Sequence, residues 1–536
     1  MNPLLCLIVK LKNKIMKILF NIIIIYSIVF HGHAFSDQAQ FVRNSDSLDV
    51  NNDNDDFCDH FFVADTHYLS KQLNFFSDIM YDNTGVYVLE QGGGAFISRA
   101  WLSQNAENTI DVQYFIFSVD NIGLIVTDYL LRAAERGVKV RILLDDLMVD
   151  ADTDDVLALD AHQNISIKIY NPNLNIGKNW CDKIASLFTD FKGINQRMHN
   201  KTFIVDGNVA ITGGRNIADE YFDYDHEYNF RDRDVLLIGE VSHNIQDSFD
   251  QFWNDEISRP ISELVKLSDK NYDFQSVYKR LHDYACNPDN FWLQIRNRIK
   301  NIPSTFEEIK SSGKLIWVDS VAFVSDIPGK NNDAGEMWGG GITTSALIEL
   351  VAQAQNEILI QSPYLVTSDL SLGLFKDAGM RGVNIKILTN SFASTDNIKA
   401  FSGYQRNRKR ILDTGALIFE YKPDAQIRRD IMYNDLQEKL DYSPIFAIHA
   451  KSMVIDSKIT AIGTFNLDPR SANLNTECVA IIYSHEIEKN VRSLMEKELQ
   501  PENSWEITKS FNPDSKVGIF KRFKTYIRRI IPISIL

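Results

Sequence analysis

Apolar and polar positions over residues 92–144 alternate between helical and extended patterns. Gly92-Gly93-Gly94 is expected ahead of a helix over 95–105. Residues 109–117 read as a strand carrying Gln113 and Tyr114. Residues 122–136 form an amphipathic helical pattern closed by Gly137, a residue suited to a C-cap. An apolar strand over 138–144 follows and ends at Asp145-Asp146. The same order returns later: a helix over 344–354, a strand over 357–362, a helix ending at Arg381-Gly382 and a strand over 383–388. Strands alternating with helices imply an α/β sheet. Arg136-Gly137-Val138-Lys139 nearly matches Arg381-Gly382-Val383-Asn384, so the pattern is duplicated. Phe249, Phe252 and Trp253 belong to a helix expected to pack on the first half. Gln113 and Pro363-Tyr364 fall at strand ends, where such sheets place ligands, although core or turn roles fit them equally well.

The ends of the chain differ from this core. Lys10, Lys12, Lys14 and Lys17 precede an apolar run over 18–30, followed by His33-Ala34-Phe35-Ser36. That order predicts a secretory signal or an uncleaved anchor over 1–35. The run is short for a spanning helix, which needs about 20 apolar residues. Lysines ahead of it place the rest of the chain outside the cytoplasm. Residues 36–75 read as an acidic, flexible spacer. The first half is expected over 76–255, a connecting segment over 256–330, the second half over 331–500 and a basic tail over 501–536. In the tail, Phe520, Phe523, Ile527 and Ile530 share one helical face and the bases fall largely on the other. A basic amphipathic helix fits an anionic membrane surface; docking apolar side down on the protein is the alternative.

Composition narrows the chemistry. The chain has 536 residues, with 71 acidic against 56 basic, a formal net charge of -15. A nuclease normally shows a basic footprint, so this balance argues against nucleic acid as partner. The five cysteines, Cys6, Cys58, Cys181, Cys286 and Cys478, have no paired spacing, and no Cys/His cluster points to a metal.

The densest chemistry lies in one repeated run. His199-Asn200-Lys201, four residues, Asp206, six residues, then Gly213-Gly214-Arg215-Asn216 is matched by His449-Ala450-Lys451, Asp456 and Gly463-Thr464-Phe465-Asn466. After each histidine comes a strand, where residues two apart point the same way, so His and Lys face one site. Asp206-Gly207 and Asp456-Ser457 read as turns. Gly214 would let the backbone approach an anion, and Asn216, Asn466 and Thr464 could donate hydrogen bonds to it. Two His, two Lys and two Asn suit a phosphate: one His attacks phosphorus and the other protonates the leaving oxygen. The lysines supply the charge a metal would otherwise give, so neither metal nor cofactor is expected. A carboxylate on a strand beside each His could orient its ring. In the first half Asp232 and Asp234 both fit, with Asp234 slightly preferred.

These runs resemble the signature of the phospholipase D superfamily. Further support comes from Arg197-Met198, from Ile217 through Phe222, and from Leu467-Asp468-Pro469-Arg470-Ser471 leading to Asn475-Thr476-Glu477. Within the superfamily the chain looks most like bacterial C-type cardiolipin synthases. The resemblance implies two pseudo-symmetric α/β/α halves around one shared cleft. It makes His199, Lys201, Asp206, His449, Lys451 and Asp456 catalytic and gives Glu477 the His-orienting role; it leaves the nucleophile open, and His199 is preferred here with His449 as acid and base. The implied activity is phosphatidyl transfer between phospholipids through a phosphohistidine, at the bacterial cell envelope or after export. Hydrolysis to phosphatidic acid, a nuclease and a non-catalytic membrane scaffold are the alternatives. Family members often carry a His before Ser402-Gly403-Tyr404; here Phe401 stands there, which puts that substrate contact in doubt.

Overall fold

The computed structural model describes residues 68–148, 152–173, 175–176, 195–267, 273–291, 293–300, 305–331, 339–432, 444–529, 531–533 and 536. The expected signal segment, most of the spacer, Cys6, Cys58, Cys181 and Trp338 lie outside the described residues. Among the described residues no helix is long and apolar enough to cross a membrane.

The first half supplies strands β1 (Thr84–Leu89), β2 (Thr109–Tyr114), β3 (Lys139–Asp145), β4 (Ile165–Tyr170), β5 (Thr202–Val205), β6 (Val209–Gly213), β7 (Tyr228–Arg231), β8 (Asp234–Ile238), β9 (Ser258–Pro260) and β10 (Ile316–Val318). The second supplies β11 (Val321–Ser325), β12 (Glu357–Gln361), β13 (Asn384–Asn390), β14 (Leu417–Tyr421), β15 (Ile445–Ile448), β16 (Lys451–Ile455), β17 (Ile459–Gly463), β18 (Cys478–Tyr483) and β19 (Ser504–Ile507). The sheet orders are β10-β1-β8-β6-β5-β2-β3-β4-β9 and β11-β18-β17-β16-β12-β13-β14-β19. Apart from β10 at one edge, they correspond strand for strand. Strands β2-β3-β4 and β12-β13-β14 are parallel, and the other neighbours in each sheet are antiparallel. Residues 256–330, expected to connect the halves, contribute β9 and β10 to the first sheet and β11 to the second.

The main helices are α1 (Gly92–Asn105), α2 (Asn121–Glu135), α3 (Glu240–Asn254), α4 (Ile342–Gln353), α5 (Asp369–Met380), α6 (Ile398–Leu412), α7 (His485–Glu498) and α8 (Ile519–Arg528). Strands β5, β6 and β8 are buried along their whole length, as strands covered on both faces must be. One core lies between the first sheet and α1 and α2, and another on the outer face of the second sheet. A third is shared: Val86, Ile204 and Leu237 of the first sheet meet Val454, Ile462 and Ile482 of the second, with Ile245 and Phe249 of α3 and Val491 and Met495 of α7. This shared layer fixes the two sheets relative to each other.

Local expectations met two corrections. Gly92-Gly93-Gly94 lies inside α1, not ahead of it. A Cβ at Gly92 would come within 2.7 Å of the Asp223 carboxylate and 2.8 Å of the Phe222 backbone, so only glycine allows that approach. The strand expected over 109–117 ends at Tyr114.

Candidate active site

Each His-x-Lys run ends in a hairpin of the expected kind. Asp206 and Gly207, like Asp456 and Ser457, take positive φ between 51° and 67°. Two left-handed residues in succession make the tight turn that joins β5 to β6 and β16 to β17. The Asp side chains then turn back from the site. Asp206 accepts from the backbone N–H groups of Glu107, Asn108 and Thr109 at 2.7–2.9 Å. Asp456 accepts from Gln355, Asn356 and Glu357 at 2.7–3.0 Å. Four residues of strand separate Lys from Asp in each run, which sets the two on the order of 15 Å apart. These carboxylates, expected among the catalytic residues, lock the start of β2 and of β12 in the structure. Asp206→Ala is expected to cost roughly 3 kcal/mol of stability through three lost charge-assisted bonds, with little change in KM. Denaturant unfolding beside steady-state kinetics checks this; a variant of unchanged stability and abolished turnover would refute it.

At the other end of the strands the two halves interlock. His199 N–H donates to the Thr476 carbonyl (3.0 Å), and Thr476 N–H to the Arg197 carbonyl (2.9 Å). Strand β15, leading into His449, pairs in parallel with β7 of the first half, and His449 N–H donates to the Arg231 carbonyl (2.8 Å). Each histidine is thereby set against the opposite half's carboxylate. His199 Nδ1 lies 2.8 Å from Glu477 Oε2, and His449 Nδ1 lies 2.6 Å from Asp232 Oδ2. The carboxylates are fully buried and the rings 7% and 5% exposed. The orienting groups expected beside each histidine are therefore exchanged between halves.

Asp234 does not reach a histidine, which corrects the preference for it. Strand β7 stops at Arg231 and β8 begins at Asp234, so Asp232 sits in the break and the two carboxylates diverge. Asp234 Oδ2 accepts from Arg99 at 2.8 Å and lies 3.6 Å from Arg215. Arg231 and Arg233 both pair with Glu90, and Arg231 also with Glu498 of α7.

The glycine-asparagine tails serve the carboxylates as well. A Cβ on Gly214 would stand 2.0 Å from Asp232 Oδ1, so glycine there makes room for the carboxylate. At the matching position Thr464 Oγ1 donates to Glu477 Oε2 at 2.5 Å. Both were expected at a phosphate; in the structure each seats the carboxylate that holds a histidine. Asn216 Oδ1 accepts from Ile116 N–H at 3.2 Å. Asn466 is 5% exposed and its Oδ1 has no partner among the described residues. Gln113 is internal, its Nε2 3.1 Å from Met198 Sδ.

Lys201 Nζ donates to the His199 carbonyl at 2.7 Å. Lys451 Nζ donates to the His449 carbonyl at 2.5 Å and lies 2.9 and 3.1 Å from the two ring nitrogens of His449. Burial, with the Lys201 and Lys451 charges, pushes His199 down to about 4 against the pull of Glu477. Burial and the Lys451 charge push His449 down to about 3. Burial, together with Lys451, lowers Lys201 to about 7; burial lowers Lys451 to about 8. Burial alone would raise Asp232, but His449 and Lys451 hold it far below the usual carboxylate range. Lys451 acts on Lys201 and His199 of the first half, and Lys201 on His449 of the second, so the two runs make one site.

Aromatic walls close it. Phe115 stands edge-on to His199 with centroids 5.2 Å apart; Tyr221 and Phe230 each lie 4.9 Å from His449. Tyr364 donates to Asp396 at 2.7 Å, and Asp396 is within electrostatic reach of Lys451. Sequence reasoning did not single out Phe115, Phe230 or Asp396 for the site, because nothing in their spacing links them to either run. Among the described residues no group of three or more His, Cys, Asp or Glu side chains could hold a metal ion.

Comparison with known proteins agrees with this geometry. Residues 102–253 and 347–499 match the family described as cardiolipin synthase, PLD-like domain. An uncharacterized protein of Helicobacter pylori strain J99 is 31% identical over 430 residues, 79% of this chain and 81% of that protein. Cardiolipin synthase C of Escherichia coli K12 is 32% identical over 402 residues, 75% and 81% of the two chains. Among solved structures, phosphatidylserine synthase of Haemophilus influenzae shares the fold at 13% identity, with a TM-score of 0.54 over 87% of this chain and 100% of that one.

Proposed function

We propose, from the premise that the chain belongs to the cardiolipin synthase, PLD-like domain family of the phospholipase D superfamily, that it is a phosphatidyltransferase working through a phosphohistidine. One observation carries this reading: two buried histidines, each fixed at Nδ1 by the opposite half's carboxylate, share a site with two buried lysines. Nδ1 is committed to the carboxylate, so Nε2 is the atom left for chemistry. His199 is favoured as nucleophile, because Lys451 lies 3.1 Å from Nε2 of His449, whereas Nε2 of His199 has no protein partner among the described residues.

Both rings are neutral in the free enzyme. A phosphodiester anion between the lysines raises all four groups, which keeps Lys201 and Lys451 charged and lets His449 take up a proton. The Nε2 lone pair of His199 then forms a P–N bond as the P–O bond to the leaving alcohol breaks, and His449 gives its proton to the leaving oxygen. In the second step the oxygen of an acceptor alcohol attacks phosphorus, the P–N bond breaks, and the alcohol proton passes to His449. With phosphatidylglycerol as acceptor the product is cardiolipin; with water it is phosphatidic acid.

The pH profile follows from these shifts. His199 must be neutral, so activity falls on the acid side as pH drops through about 4. The lysines must be charged, and in the free enzyme they lose charge as pH rises through about 7 and about 8. kcat/KM, which reports the free enzyme, is therefore expected to fall with pH above about 4, because His449 must take up a proton its free ring lacks, and to steepen as the lysines lose charge near about 7 and about 8, with the kcat limbs displaced upward by bound phosphate. An alkaline limb of kcat/KM near the ordinary lysine range, about 10.4, would contradict the lysine assignment.

The net charge of -15 supports lipid over nucleic acid, whose enzymes track many phosphates with distributed cations. The lysine-flanked apolar run near the N-terminus supports location at the cell envelope. So does Cys286, which is disulfide-bonded, since such bonds persist in oxidising compartments. The decisive assay presents the purified protein with labelled phospholipid vesicles containing phosphatidylglycerol, and in parallel with single- and double-stranded DNA. Cardiolipin is the expected product. DNA cleavage at comparable rates would overturn the assignment, and exclusive release of phosphatidic acid would make the enzyme a hydrolase. No turnover of either substrate would leave a non-catalytic scaffold.

A further inference from the structure

The C-terminal helix α8 rests on α6 with its apolar side turned away from the protein. Its buried residue is Thr525, 1% exposed, whereas Ile519 is 72%, Phe520 83%, Phe523 63% and Tyr526 67% exposed. At about 100° per residue, these four and Ile527 share the sector opposite Thr525. Arg522 and Lys524 border that sector on its two sides. The polar underside is what the protein holds. Arg406 donates to the carbonyls of Arg529 and Ile531 at 2.9 and 2.8 Å, and Arg529 donates to Gln405. Ile531 and Leu536 anchor the end of the chain against Val366 and Ala400. A helix packed for its apolar face alone would be turned the other way.

Charge selects what covers this face. From Lys516 to Leu536 there are six basic residues and no acid, in a chain whose net charge is -15. An aromatic ridge bordered by bases complements an apolar surface with anionic headgroups. A second copy seated ridge to ridge would set the same bases against each other, and nucleic acid would leave the ridge in water. The helix also adjoins the cleft. Lys521 Nζ lies over the Phe392 ring at 5.5 Å and within electrostatic reach of Asp396, which in turn reaches Lys451.

We infer that α8 is a monotopic docking helix: Phe520, Phe523 and Tyr526 enter one leaflet of an anionic bilayer, with Arg522 and Lys524 at the headgroups. Docking there holds the mouth of the cleft at the lipid surface, a consequence that rests on the phospholipid reading of the site. The test uses the full chain with an environment-sensitive fluorophore on Phe523→Cys. It is mixed with vesicles of phosphatidylglycerol and phosphatidylcholine, with pure phosphatidylcholine vesicles, with DNA, and with unlabelled protein. Activity of Phe520→Gln/Phe523→Gln is measured on vesicles and on monomeric short-chain phosphatidylglycerol.

A blue shift with the anionic vesicles alone is expected, together with about tenfold or greater loss of vesicle turnover and unchanged turnover of the monomeric lipid. No shift with anionic vesicles, an equal shift with neutral ones, or a shift caused by DNA or by unlabelled protein would overturn the inference. So would a double variant that turns over vesicles as the unaltered protein does. A shift with anionic vesicles but no turnover of any lipid would support docking while sinking the proposed chemistry.

Discussion

Alanine at His199 or at His449 is expected to lower turnover by about four orders of magnitude and to leave KM within a few-fold. The lysines, which hold the phosphate, remain in either variant, so binding survives while the chemical step fails. Loss of the nucleophile removes the P–N bond; loss of the acid leaves an alkoxide to depart unprotonated. The residues act as one unit, so the double variant should be scarcely slower than either single one. Labelled phospholipid separates the roles. Phosphate trapped on His199 in the His449→Ala protein, with none on His449 in His199→Ala, assigns the nucleophile as proposed; the reverse result exchanges the roles. A single variant with near-normal turnover would sink the two-histidine mechanism.

The second large effect belongs to the exchanged carboxylates. Asp232→Asn keeps the shape of the side chain but removes the charge that holds Nδ1–H of His449, 2.6 Å away. A carboxylate that fixes a catalytic histidine's tautomer is worth about three to four orders of magnitude in kcat. Glu477→Gln should act on His199 in the same way, and more mildly in Thr464→Val, where only the hydroxyl supporting Glu477 is lost. Asp234→Asn, two residues along the chain, should behave differently. It leaves Arg99 and Arg215 buried without their shared anion, at a cost of roughly 3 kcal/mol, while folded molecules turn over normally. Kinetics and denaturant unfolding on all four variants decide the matter. Catalytic collapse in Asp234→Asn with a healthy Asp232→Asn would show that the assignment is inverted.

Much of this protein was legible in its sequence because the relevant rules are local. Two-residue strand alternation places His199 with Lys201 and His449 with Lys451, whatever the rest of the chain does. Asp206-Gly207 and Asp456-Ser457 announce tight turns through residues that tolerate positive φ. Repetition of those spacings, and of the helices and strands around them, reveals two α/β halves meeting at one site. The contents of the site could be read in the same way, since two histidines and two lysines at matched positions suit one phosphate.

What only the tertiary structure decided is which distant groups meet. Asp232 and Asp234 look equivalent on an uninterrupted strand; the break between β7 and β8 sends one to His449 and the other to Arg99. Glu477 orients His199, not its own half's histidine, because β15 pairs with β7 and Thr476 with His199 across the boundary. Asp206 and Asp456 belong to the repeated run by spacing, yet a turn and a strand's length carry them to the ends of β2 and β12. Gly214 and Thr464 occupy equivalent positions and solve the same packing problem in opposite ways, one by leaving room and one by donating a proton. In α8 the sequence gives an apolar face and a basic face, and only its seat on α6 determines which of them meets the solvent. Spacing encodes the direction of a side chain from its own backbone; its partner is chosen by how two sheets pack, through contacts between residues more than 200 positions apart, as in the His199–Glu477 and His449–Asp232 pairs.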